Sequence, residues 1–248
     1  MSDFRDFQTR SMNAAGVRTG AEIDQGLRSY MLKVYNLMAL GVALTGLVAY
    51  AFSAAAVDNG QLTAFGQAIY MSPLRWVVLL APLGLVFFLS FRIDKMSAFA
   101  AQMTFWLYAG LVGASLSSIF LVYTGASITQ TFAVTAAAFA ALSLYGYTTK
   151  RDLSAMGSFM VMGLFGLIIA SLVNLFLKSS ALDFAVSAIG VLVFAGLTAW
   201  DTQKIKSMYF ESDGFEVMNK KAIMGALSLY MDFINLFLFL LRFMGNRN

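Results

Sequence analysis

The sequence predicts an all-α, polytopic membrane protein with seven transmembrane helices. Three observations lead there. Apolar residues make up 59% of the 248 residues and charged residues only 12%, about half the charged share of a soluble domain. Mean hydropathy is +0.73, so 17 basic and 13 acidic groups would have to keep a 27.0 kDa body in water. Seven stretches approach or exceed the roughly 20 apolar residues that a helix needs to cross a bilayer core. Together these exclude a soluble enzyme, a disordered chain and a fibrous repeat.

Residues 1–28 are polar and carry Arg5, Arg10, Arg18 and Arg28. They lack an apolar run followed by a small-residue cleavage site, so they read as a polar cytoplasmic tail rather than a signal peptide. The transmembrane domain is expected over 29–248. Its spans lie near 30–52, 76–91, 98–123, 128–147, 156–177, 184–200 and 222–243. The second is the shortest and contains Pro82, which removes a backbone donor and tends to kink a helix. Linkers are short except 53–75 and 202–221, and no soluble domain fits between spans.

Seven alternating spans put 13 of the 17 basic residues on the side of the N-terminus. The other four are Arg75, Lys178, Arg242 and Arg247. An excess of Lys and Arg marks the cytoplasmic side, so the N-terminus is expected inside and the C-terminus outside. Six spans with a re-entrant last segment would return the C-terminus to the inside, and Arg242 and Arg247 are compatible with that too.

The chain has no cysteine and no histidine, which removes disulfides, thiolate or imidazole metal sites and histidine general bases. No glycine-rich phosphate loop or nucleophile elbow is present, and no nucleic-acid partner is expected. Gly110 with Gly113, Gly163 with Gly166, and Ala114 with Ser118 have the spacing of close helix contacts. Asn174 and Asn235 read as interhelical hydrogen-bond partners, and the Met and Phe residues as lipid-facing or core filler.

Two acids stand out. Asp232 falls near the middle of the last span, and Asp201 at the end of the sixth. A carboxylate at the membrane centre costs about 2.5–3.5 kcal/mol even on lenient scales. It therefore needs a partner, a proton or a water-filled cavity. Asp201 can also be read as an interfacial residue beside Lys204. Arg92, at the cytoplasmic end of the second span, is the best candidate counter-charge, with Lys95 three residues away.

Residues 146–154 (Gly-Tyr-Thr-Thr-Lys-Arg-Asp-Leu-Ser), 196–204 (Gly-Leu-Thr-Ala-Trp-Asp-Thr-Gln-Lys) and 225–237 (Gly-Ala-Leu-Ser-Leu-Tyr-Met-Asp-Phe-Ile-Asn-Leu-Phe) resemble the bacterial branch of the Bax inhibitor-1 family, the transmembrane Bax inhibitor motif proteins. The resemblance implies a seven-helix fold with the last helix central, between two three-helix layers. It implies a pH-sensitive calcium leak in the bacterial inner membrane. An aspartate pair on the last two helices, matched by Asp201 and Asp232, would be the proton sensor. An arginine on the second helix, matched by Arg92, would interact with that pair. It also implies a second role, binding and modulating a membrane-anchored ATP-dependent protease.

The residues themselves are compatible with a leak. Calcium takes oxygen ligands, so Asp201 and Asp232 with backbone carbonyls and waters could hold it transiently. Calcium would then be a permeant ion, and no cofactor is expected. Two close carboxylates resist double ionisation, which lets a chain without histidine sense pH. The alternative is a regulator that packs against a membrane partner. An intramembrane aspartyl protease would carry Gly-x-Gly-Asp at its second aspartate, whereas Tyr230 and Met231 precede Asp232, so the chain is not expected to be an enzyme.

Overall fold

In the computed structural model, which describes residues 20–247, seven helices are long and apolar enough to cross a membrane. They are α1 (Gly20–Ala56), α2 (Leu74–Arg92), α3 (Ala98–Leu116), α4 (Gly125–Thr148), α5 (Ser154–Leu177), α6 (Ser180–Ser207) and α7 (Phe215–Met244). Residues 1–19 of the expected tail lie outside the described residues. Residues 20–28, expected in that tail, form the start of α1 instead.

Most helices outrun the apolar stretch that predicts them, because their caps sit in polar flanks. The hydroxyls of Ser97, Thr124 and Ser179 accept from Ala100 N, Ser127 N and Leu182 N at the starts of α3, α4 and α6, each bond satisfying an otherwise orphaned donor. The expected 202–221 linker therefore shrinks to 208–214. At 30 residues, α7 is ~45 Å long against a hydrocarbon core of ~30 Å, so it overhangs.

The expected 53–75 linker is also structured. Val57–Asp58 pairs antiparallel with Gln61–Leu62. Asn59 and Gly60 turn the hairpin with φ of 50° and 77°, the positive values that a two-residue hairpin demands. A short helix, Ala64–Tyr70, follows. The expected third span, 98–123, is matched by the span Ala98–Val122, interrupted locally: α3 stops at Leu116, and Ile119–Val122 adds a further helical turn. The Ser117 hydroxyl donates to Ala114 O at 2.6 Å, the local bonding by which serine competes with the helix ladder.

Helix α7 is the axis. It packs against α1, α3, α4 and α6; α1 and α2 pack on α3, and α4 and α5 on α6. Two three-helix groups thus enclose it, and 56% of its most apolar stretch is buried against 6% for α5. Tyr230 anchors the core. Its hydroxyl bonds Thr45 Oγ1 at 2.6 Å, which donates to Ala109 O at 2.9 Å. The Phe105 and Tyr108 rings meet it edge-on, a favoured aromatic geometry.

The small residues divide. A Cβ on Gly113 would stand 2.6 Å from Thr45 O, and one on Gly163 3.1 Å from a Val193 methyl, whereas Gly110 and Gly166 face open space. Asn174 and Asn235 do not join helices as expected. Asn174 Oδ1 accepts from Ser179 N across the α5–α6 turn, and Asn235 Nδ2 donates to Met231 O of its own helix. Each finds a backbone partner within one turn, before any neighbouring helix is reached.

Side chains lace the two ends. At one end Lys33 Nζ bonds Asn219 Oδ1, Glu216 Oε1 accepts from Ala98 N at 2.6 Å, and Lys206 Nζ donates to Tyr147 O at 2.8 Å. At the other, Arg242 pairs with Asp183 at 3.4 Å, and Thr124 N donates to Asn246 O. Helix α7 therefore runs from one end to the other and does not re-enter.

Candidate functional site: a buried aspartate pair

Asp201 is held in place by the packing of α6. A Cβ on Gly146 of α4 would lie 2.1 Å from Ala199 O, and one on Gly157 of α5 would fall 2.2–2.4 Å from Trp200 ring atoms. Only glycine lets α4 and α5 come this close. Gln203, two residues on, clamps the α4–α5 turn: Oε1 accepts from Leu153 N and Nε2 donates to Arg151 O, both at 2.8 Å. Helix α6 is thus fixed on both sides of Asp201.

Asp232 faces it from α7 and is 4% exposed, while Asp201 is partly buried. The two carboxyl groups hydrogen-bond to each other. Two carboxylates have only acceptors, so that bond requires a proton on one of them. Asp232 Oδ2 is buried and, among the described residues, has no hydrogen-bond partner. An unsatisfied buried oxygen is costly, and here it sits beside the protonatable pair.

Lys204 stands three residues beyond Asp201 on α6, its ammonium 4.9 Å from the Trp200 ring centroid. Arg92 does not stand there. It is exposed at the end of α2, which packs on α3, and no ion pair joins it to either aspartate. Lys95 is exposed as well. Among the described residues no group of three or more His, Cys, Asp or Glu is placed to hold a metal ion. Asp201 and Asp232 are the carboxylates available at this site for the transient calcium contact expected from the sequence.

A polar thread leads away from the pair. Thr202, next to Asp201, is fully buried; its hydroxyl meets Ser143 Oγ at 2.9 Å, which meets Tyr35 OH at 2.6 Å. Sequence reasoning did not single out Gln203, Thr202, Ser143 or Tyr35. All four bond to partners at least 50 residues away in sequence. The signal available was the polar run Asp-Thr-Gln-Lys closing an apolar span. Chemically, the arrangement can take up, hold and release a proton in a place shielded from bulk water.

A profile for the family described as "Inhibitor of apoptosis-promoting Bax1" matches residues 27–248. The inner membrane protein YbhL of Escherichia coli K12 is 52% identical over 90% of this chain and 93% of its own length. A protein of Rickettsia prowazekii is 53% identical over 90% and 92%, and one of Caulobacter vibrioides 46% over 99% and 98%. With the aspartate pair on its last two helices and the match extending over nearly the whole chain, this protein belongs to the Bax inhibitor-1 family.

Proposed function

We propose that the protein is a pH-sensitive leak for calcium or a similar cation, gated by Asp201 and Asp232. It would lie in the bacterial inner (plasma) membrane with its N-terminus in the cytoplasm. The observation that carries this reading is the mutual hydrogen bond of two carboxyl groups, one of them buried on the central helix. The location draws on YbhL, described as an inner membrane protein, and the orientation on the basic excess at one end.

In this reading the bonded pair is the proton-bearing state, with Arg92 away from it. Losing that proton leaves two repelling carboxylates. In the proposed cycle Arg92 then swings toward them, draws α2 in and narrows the path, so the leak grows as pH falls. A one-unit difference in proton affinity between the two states shifts their ratio about tenfold. Asp232→Asn, nearly isosteric and unable to titrate, is expected to flatten the pH profile of calcium flux in proteoliposomes. A wild-type profile in that variant would refute the pair as sensor.

The α6–α7 connection favours a second role. Phe210 and Phe215 are exposed there, at the overhanging end, where a membrane-anchored protease or another partner could dock. A partner whose behaviour still responds to Asp232→Asn protein would separate this role from the leak.

A further inference from the structure

Helices α1 and α4 both lean on α7 without packing closely on each other. Between them runs a cavity of ≈ 560 Å³, within the ~300–1,000 Å³ typical of small-molecule sites. Leu32 and Leu144, both exposed, form its lips, and Phe139 and Met38 its apolar floor. The Tyr35–Ser143 hydrogen bond bridges the two helices there.

At the end that carries Lys33 and Lys220, this groove adjoins a second cavity of ≈ 520 Å³. Arg28 and Tyr147 line both cavities, and Lys206 lines the second. Arg28 has no ion pair among the described residues. Lys206 gives one proton to Tyr147 O, which leaves two of its three donors free. Among the described residues no acidic side chain lines either cavity. The result is an apolar slot at membrane depth with two cations at its mouth, the combination that basic pockets between transmembrane helices use to hold anionic headgroups.

We infer that the α1–α4 groove is a binding site for an anionic phospholipid. One acyl chain lies along Leu32, Phe139, Ala140 and Leu144, and the phosphate sits between Arg28 and Lys206. Charge selects the headgroup, and the groove selects for a chain rather than a free phosphate. This site is independent of the leak, because it requires neither Asp201 nor Asp232.

The test is native mass spectrometry of the full chain in detergent, titrated with phosphatidylglycerol or phosphatidylcholine of matched chains. Wild type is expected to retain phosphatidylglycerol preferentially. Removing both charges with R28Q and K206Q should lower that preference by about fivefold per charge, while R75Q, at the opposite end, should leave it unchanged. A140W fills the groove from its exposed side and should weaken both lipids. Equal retention of the two lipids by wild type would overturn the proposal. So would an undiminished preference in the double variant, full retention in A140W, competition by glycerol phosphate as strong as by the lipid, or a co-purifying peptide in place of lipid.

Discussion

Asp232 is a residue on which stability and chemistry conflict. A buried oxygen without a partner costs about 1–3 kcal/mol, and replacing a whole buried polar pair with apolar groups is often neutral or stabilising, whereas removing one partner destabilises when the other stays buried and unpaired. Asp201 can lose its partner more easily, being partly exposed and near Lys204. Asp232→Leu is therefore expected to raise the unfolding midpoint in detergent, by about 2–4 °C per kcal/mol recovered, while abolishing the pH response of flux. Thermal unfolding and flux measured on the same preparation check both halves. A lowered midpoint would mean that the carboxyl pair holds the helices together rather than straining them.

At the scale of elements, the critical contact is Trp200 seated over Gly157. Leucine at 157 would drive its Cβ into the indole, an overpacking that costs about 1–3 kcal/mol. Gly157→Leu should displace the α6 segment that carries Asp201. The emission of Trp200, isolated by replacing Trp76 and Trp106 with phenylalanine, should shift, and the pH response of flux should change with it. The same contact marks what the sequence could reveal. Helix existence was readable, because a span of hydrocarbon demands a long apolar run, and so was the exceptional cost of an aspartate amid Leu229, Tyr230 and Phe233. Helix ends were not. Caps such as Ser97 and Thr124 obey polar chemistry outside the hydrocarbon, where hydropathy carries no signal. Nor was the neighbour of the pair legible. Arg92 looked right by its place at the cytoplasmic end of the second span; that α2 packs outside α3 and leaves it exposed in this structure depends on how helices assemble rather than on their order. Lys204 was visible throughout, as the neighbour that would make Asp201 an interfacial residue.

For the whole molecule, the lacing fixes which segments share an end. The α1 start, the α2–α3, α4–α5 and α6–α7 turns lie together with most of the basic residues, and Asp183, Arg242 and Asn246 lie opposite. A reporter fused after Asn248 should therefore give a periplasmic signal, and one inserted between Lys150 and Arg151 a cytoplasmic one. Two signals on the same side would contradict a fully spanning α7.

The helix that forms the axis follows the other six in sequence and so leaves the ribosome after them. Synthesis runs from the N-terminus, so six helices enter the bilayer around a place that nothing yet fills. During that interval Thr45 has no Tyr230 to bond, and Asp201 waits without its counterpart. The newborn bundle is a ring with polar groups turned toward a missing centre, open to wrong pairings and to proteases that survey the membrane. A nonsense mutation anywhere before Phe215 would thus yield, instead of a shortened bundle, a shell with no axle.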